Sequence, residues 1–498
     1  MVAAGSSCTC LILSACAVLY STSKTASKLP ESNPRHALEL TNSRRLGEFM
    51  TNSIRLLKSW DAQFLGKPYR MFCEAGEVTM LPPKEVDAIR SDKRFDFQVS
   101  ASDESHGYIP GFEALGDDQA ILKVVNKHLT KVLTKLTAPL SEEAEIVIQQ
   151  TFGDSTAWKP HNAPEDIMKV VSRMSSRVFM GAELCKDDKW NAASANYTRQ
   201  LFSAMFVLNE KPRWLRPYIH WFMPVCQEVR KARDAAHEAL EPHLKRREQE
   251  KAAALARGEP SHMDDSIEWF AQEGSTCSPA IDQVRLSVVA IHTTSDLLCE
   301  AMINIAANPK LFEPLREEVI RVLSTYGLKK TALYELQLMD AVFKEAQRLK
   351  PISIGWKRKA LEDVTLPSGM LIKKGEKVGV SLMHMWDDNY WKDAATFDPY
   401  RFMRMRATPD QSHAAHLVST STNHLGFGHG VHACPGRFFA SNEVKIAMCH
   451  LLLKYDWKLA EGSRPEPIAV GMGFVTNPKT QLLFRRRKEE LDFSTLES

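Results

Sequence analysis

Cys434 closes a glycine-rich run, Phe427-Gly-His-Gly430-Val-His432-Ala-Cys434-Pro-Gly436, and the helically spaced segment RFFASNEVKIAMCHLLLKY follows at once. A cysteine placed so can do chemistry that a packing cysteine cannot. Glycines let a backbone lie close to a flat cofactor, and the free N–H groups and positive dipole end of a helix favour thiolate over thiol. A thiolate on iron donates electron density that promotes O–O cleavage. The competing reading is a buried free thiol beside a tight turn, the commoner role of a lone cysteine.

Two further groups of residues could take part in chemistry. His292, Thr293, Thr294 and Ser295 lie midway along an otherwise apolar stretch that begins at Ser278-Pro279 and stops at Asn308-Pro309. Ser is an N-cap and Pro fits the first helical position, so the spacing predicts one helix of about 30 residues, ~45 Å long, running through the centre of the protein. Hydroxyls there either pass protons through water or bond back to carbonyls one turn earlier. Glu345 and Arg348 form the second group, an i, i+3 pair on one face of a helix ending before Pro351. About fifty residues on comes Phe397-Asp-Pro399-Tyr-Arg401-Phe402.

The elements that must position these groups read as follows. GEVTMLPP (76–83) has the β-branched run of a strand, and KEVDAIRSD (84–92) has helical spacing. From about 118 to about 350 the pattern is helical, with a charged, Gly/Pro-containing loop expected from Lys245 to Asp265. Strand patterns return at 364–382 and 474–484, with turn signals at Pro367-Ser368-Gly369, Lys374-Gly375 and Asn477-Pro478. The 498 residues are 44% hydrophobic and 25% charged with a net charge of +3, which carries no general bias towards nucleic acid. Ten scattered cysteines do not form a disulfide scaffold, and Cys8 and Cys10 lack partners at zinc-site spacing.

Taken together, the motifs resemble the cytochrome P-450 family. The Cys434 loop matches that family's Phe-x-x-Gly-x-Arg-x-Cys-x-Gly at every fixed position but one, where His432 stands for Arg. Glu345-Ala-Gln-Arg348 matches its Glu-x-x-Arg, and the segment with Arg401 matches its meander motif. The resemblance, spanning roughly residues 60–490, implies a mainly α fold with a small β region and haem b buried between the long central helix and the Cys loop. It makes Cys434 the thiolate ligand of iron, Phe427, Gly430, His432 and Gly436 its cofactor-binding neighbours, and Glu345, Arg348 and Arg401 an ion network that holds the loop.

The resemblance also assigns residues further from the loop. Ala290-Ile291-His292-Thr293-Thr294-Ser295 aligns with the family's oxygen-activating segment, making Thr294 the catalytic threonine and putting Thr293 where an acid is usual. The family's Trp-x-x-x-Arg is missing, with Val124 and His128 at those positions, so His128 is expected as a second haem-propionate donor. Lys123, Lys127, Lys131 and Lys135 recur every four residues, as a solvated stripe or a docking face for an acidic electron donor. Tyr108, Phe112, Phe202, Phe206, Val289, Ala290, Ile354 and Phe474 are candidate pocket residues by family position.

The implied reaction is a monooxygenase reaction with O₂ and an apolar small molecule. NADPH electrons would arrive through a separate NADPH–cytochrome P-450 reductase, since no flavin or dinucleotide fingerprint is present. The wording GFGHGVHACPGRFFA with AIHTTS looks most like filamentous-fungal enzymes of secondary metabolism, with terpenoids, including indole diterpenes, the first expectation and polyketides or alkaloids open. A reductase-independent isomerase or peroxide-using haem-thiolate enzyme, and a non-catalytic haem sensor, are the rival readings.

The apolar run Cys8–Tyr20, with Lys24 and Lys28 after it, is short for a membrane span. It reads as an N-terminal anchor within residues 1–25, with a degenerate signal peptide and a buried helix as the rival readings. Residues 26–498 would then form one haem-thiolate catalytic domain on the cytosolic face of the endoplasmic reticulum membrane.

Overall fold

The computed structural model describes residues 29–39, 41–259 and 263–497; the expected anchor lies outside them. The helices that matter for the site are α1 (Ala163–Leu184), α2 (Asp188–Asn209), α3 (Pro224–Ala256), α4 (Ser266–Gln272), α5 (Pro279–Ala307), α6 (Gln337–Leu349) and α7 (Arg437–Lys454). Several begin on side-chain caps that the sequence carries: Asn162 accepts from Glu165 N–H, Asp187 from Trp190 N–H and Asp265 from Glu268 N–H.

Helix α5 is the expected central helix. Ser278 Oγ accepts from Ile281 N–H, Pro279 opens the first turn, and Asn308 ends a helix of 29 residues. It packs on α1, α3, α6 and α7. Its length and composition would suit a membrane span, but 72% of the apolar window is buried inside the fold, which makes it the core helix.

The small β region is a five-stranded sheet of β1 (Tyr69–Cys73), β2 (Gly76–Met80), β3 (Phe95–Asp96), β4 (Gly355–Ala360) and β5 (Lys377–Ser381), in the order β1-β2-β5-β4-β3. Only β2 and β5 run parallel; the other neighbours are antiparallel. A second sheet joins Lys159–Asn162, Gln481–Arg486 and Tyr455–Leu459.

Two local expectations change. The segment from Lys245 onward is not a loop: α3 continues through Pro242 to Ala256. Lys245 pairs with Glu241 one turn back, Arg246 reaches Glu183, Arg247 pairs with Asp265 at 2.6 Å and Lys251 with Glu268. Those charges are ion-pair partners along a helix, and the breakers take effect only after Ala256. The lysine-bearing segment is not a plain α-helix either, since Val124–Leu129 is a π-helix. Wider turns spoil the four-residue register; all four lysines are exposed, and Lys127 is held by Glu273 at 2.9 Å.

Candidate active site

The Cys434 loop is built by backbone bonds before any side chain matters. Cys434 N–H donates to Phe427 O at 2.8 Å and Ala433 N–H to Gly430 O at 3.0 Å, closing two turns around the glycines. Gly430 takes φ +78, and a Cβ there would sit 2.0 Å from the Arg90 carbonyl oxygen, which also accepts from Val431 N–H. No L side chain fits such an approach. Expected as a place for cofactor contact, Gly430 is needed first by the neighbouring Arg90 backbone. Gly436 caps α7, so Cys434 stands at that helix's amino end. Burial raises the Cys434 thiol above its ordinary pKa, while the N–H groups of Gly436 and Arg437 and the Arg437 charge pull it back.

Helix α6 supports this loop and the chain before it. Glu345 and Arg348 are both fully buried and joined by two bonds of 2.8 Å. Arg401 Nε donates to the same Glu345 Oε1 at 3.1 Å. Arg348 Nη1 donates to the Met385 and Ala394 carbonyls at 2.6 and 2.8 Å, and Arg401 Nη2 to Asp393 O at 3.1 Å. One buried carboxylate thus holds two guanidiniums whose remaining donors lace 385–396 into place. The same helix reaches the loop: Lys344 Nζ donates to His416 O and Ser419 O, and Gln347 packs so tightly on Gly426 that a Cβ there would lie 2.4 Å from it.

The middle of α5 has one open face. Val289 is 44% exposed and Thr293 is exposed, with Ala290 and Asp296 half-buried, whereas Val288, Ile291, Thr294 and Ser295 are buried. Positions 289, 293 and 296 make a single helical stripe. Packing thus separates the two adjacent threonines. Thr294, expected to be catalytic, faces packed core; Thr293, expected to replace an acid, is the one that looks into the opening. Its hydroxyl donates to Val289 O at 2.9 Å. Counting from Thr293 puts Val289-Ala290 in the small-residue pair and His292 in the acid's place.

A cytochrome P-450 family model matches residues 104–484. The chain belongs to the cytochrome P-450 family. It is 49% identical over 474 residues to the cytochrome P-450 monooxygenase eqxH of Fusarium heterosporum, covering 94% of this chain and 92% of that one. It is 39% identical to the monooxygenase hepE of Aspergillus oryzae (93% and 86% covered) and 38% to TRI1 of Fusarium sporotrichioides (92% and 85%). A retinoic acid-bound cyanobacterial CYP120A1 shares the fold, with a TM-score of 0.66 at 17% identity over 92% of this chain and 99% of that one. The protein is a cytochrome P-450 monooxygenase with the mainly α architecture of that family.

Membership in this P-450 family implies haem on a cysteine thiolate, and the residues present suit it. Arg358, on β4, was not singled out from the sequence. The residue is 2% exposed and its guanidinium lies over the Trp356 ring at 4.0 Å; Nη1 donates to Lys357 O, and Nε has no hydrogen-bond partner among the described residues. Among the described residues no carboxylate pairs with it, and burial pushes its pKa down to about 9. A buried unpaired cation is costly, so this position suits the anionic edge of a haem. The only sequence signal was an Arg on an alternating strand, which any sheet edge offers.

The two expected histidine donors of the P-450 fare differently. His432 Nε2 donates to Phe95 O at 3.0 Å, which leaves Nδ1 of the neutral ring as an acceptor. Burial and the Arg358 charge both hold its pKa below the usual value, so Arg358 is the better cation of the two. His128, expected as a second donor, turns Nε2 to Glu273 at 3.0 Å and stacks its ring on Trp269 of α4. Its imidazole is committed to the packing of α4.

Of the candidate pocket residues, Tyr108, Phe202, Phe206 and Val289 are exposed, and the Phe202 ring meets His292 edge-on at 6.2 Å. Phe112 and Ile354 are fully buried and Phe474 nearly so, packed into apolar clusters; they are core.

Proposed function

We propose that this cytochrome P-450 oxidises an apolar fungal secondary metabolite according to R–H + O₂ + NADPH + H⁺ → R–OH + H₂O + NADP⁺, with Cys434 as the thiolate that would hold the haem. The observation that carries the reading is the position of Cys434 at the amino end of α7, in a loop braced by α6. Bound haem would supply the redox centre at which O₂ is activated. Phe427, Gly436 and the α7 N–H groups would surround the sulfur, and Arg358, with His432 beside it, would neutralise propionate.

Thr293 is the residue for proton positioning. Its hydroxyl rests on Val289 O, so its oxygen lone pairs are free to accept from water on the open face. Val289, Phe202, Phe206 and Tyr108 give that face an apolar and aromatic lining, which favours terpenoids, including indole diterpenes, over charged substrates. Electrons would come from NADPH through a separate cytochrome P-450 reductase. We place the enzyme on the endoplasmic reticulum membrane, facing the cytosol. That placement is supported by the Cys8–Tyr20 run and by Trp214, Tyr218, Trp221 and Phe222, four aromatic residues 52–84% exposed within nine positions.

The test is the reduced, CO-bound spectrum of the purified protein and of Cys434→Ala, followed by turnover of terpenoids with reductase, NADPH and isotopically labelled O₂. A strongly red-shifted Soret band lost in the variant, with label in the product, is expected. A histidine-type spectrum unchanged by the substitution would refute the thiolate, and turnover without NADPH would favour the isomerase or peroxide reading.

A further inference from the structure

The P-450 reading above leaves one chemical gap. His292 occupies the acid's place before Thr293, and burial lowers its pKa, so it is a poor proton source. Reducing one oxygen atom to water consumes two protons with two electrons, and some group must conduct those protons to the open face of α5.

Asp296 lies three residues after Thr293 on the same stripe, and its side chain is 12% exposed while Ser295 and Leu297 beside it are packed. Three segments converge on its carboxylate. Lys350, at the end of α6, pairs with it from a fully buried position. From the turn after Phe474, Thr476 donates its main-chain N–H at 2.9 Å and its hydroxyl at 3.1 Å to Asp296 Oδ1. The Thr476 hydroxyl also lies 3.5 Å from Glu300 Oε2. Glu300 is one further turn along α5, buried, and bonded through its other oxygen to Asn304 at 3.1 Å. Burial and the Asp296 charge raise its pKa to about 7 against the pull of Lys350.

We propose that Asp296, linked through the Thr476 hydroxyl to Glu300, is the relocated acid relay of this P-450, a positioning residue that acts through Thr293. A proton passes from the Glu300 carboxyl to the Thr476 oxygen while the Thr476 hydroxyl proton moves to Asp296. Asp296 then gives that proton to water held at Thr293, and Glu300 regains one from solvent water. No bond other than O–H changes, and each proton delivered is replaced. Lys350 holds Asp296 in place between deliveries. The spacing reverses the family's order, in which the acid precedes the threonine.

The test compares wild type with Asp296→Asn, Glu300→Gln and Thr476→Val as haem-loaded enzymes. Asp296→Asn keeps the shape and can still accept from Thr476. It should lower product formed per NADPH by on the order of 10-fold, within the range of general acid catalysis. Hydrogen peroxide release should rise in step, and the solvent deuterium isotope effect should grow. Thr476→Val, which keeps the main-chain bond, and Glu300→Gln should do the same more weakly. The substrate-induced Soret shift of Asp296→Asn should stay as in wild type, while its melting temperature falls because buried Lys350 loses its carboxylate partner.

Unchanged coupling and isotope effect in all three variants would overturn the relay. So would a lost Soret shift in Asp296→Asn, because that outcome makes Asp296 a structural knot. Wild type reads the underlying assignment separately: if it forms product with NADPH and reductase, a silent Asp296→Asn refutes only the relay.

Discussion

Arg401 Nε lies 3.1 Å from Glu345 Oε1, although the two residues are 56 positions apart and on different elements. That bond joins the helix that braces the Cys loop to the segment leading into it. Glu345 is fully buried and also accepts from Arg348 through both oxygens and from Asp398 N–H.

Removing the shared carboxylate strands two guanidiniums in the core. Glu345→Gln should cost roughly 3–5 kcal/mol, the usual penalty for breaking a buried pair by deleting one partner. Urea unfolding would measure it. The red-shifted CO band should shrink with it, since the loop loses its brace. Stability within about 1 kcal/mol of wild type would show that the network is not what holds these elements.

The neighbouring threonines separate cleanly. Thr293→Val should raise peroxide release and lower product per NADPH by on the order of 10-fold. Thr294→Val, at a buried side chain, should leave coupling near wild type. The reverse pattern would return the catalytic role to Thr294.

Gly430→Ala forces a Cβ onto the Arg90 carbonyl at φ +78. The expected loss is about 1–3 kcal/mol of strain, with weaker haem retention read from the CO spectrum and from haem transfer to apomyoglobin. Gly462→Ala, at φ +72 with nothing within 4 Å of the added carbon, is the control for φ alone.

Glu443 on α7 is fully buried, with Ser175 as its one hydrogen-bond donor among the described residues, and burial pushes its pKa up to about 8. Between its ordinary value near 4.5 and 8 the folded protein therefore holds a proton that the unfolded chain releases, so stability falls as pH rises through that window. Glu443→Gln should remove this contribution. Denaturation midpoints at pH 5 and 8 would then differ less in the variant, with the variant the more stable of the two proteins at the higher pH. Parallel pH profiles would contradict the raised pKa.

Much of the site was legible in the chain because local rules govern it. The Cys434 loop needs glycines at fixed offsets and a helix start behind it. The ends of α5 follow from Ser278, Pro279 and Asn308, and Glu345 and Arg348 share a face through helical spacing alone. Other features depend on what lies opposite. Because α5 is apolar on nearly every side, its sequence does not tell which side meets core and which meets the opening. Adjacent threonines point about 100° apart, so the choice between Thr293 and Thr294 waits on the neighbours.

Partners distant in sequence make the same kind of decision. His128 turns to Glu273 and Trp269, and among the described residues no carboxylate forms an ion pair with Arg358. Asp296 collects Lys350 and Thr476 from two other segments. Types and spacings along this chain determined that a thiolate site exists and where its cysteine sits. Tertiary packing decided which polar groups are spent on one another and which remain for chemistry, because burial and pairing belong to surfaces brought together and not to residues taken singly.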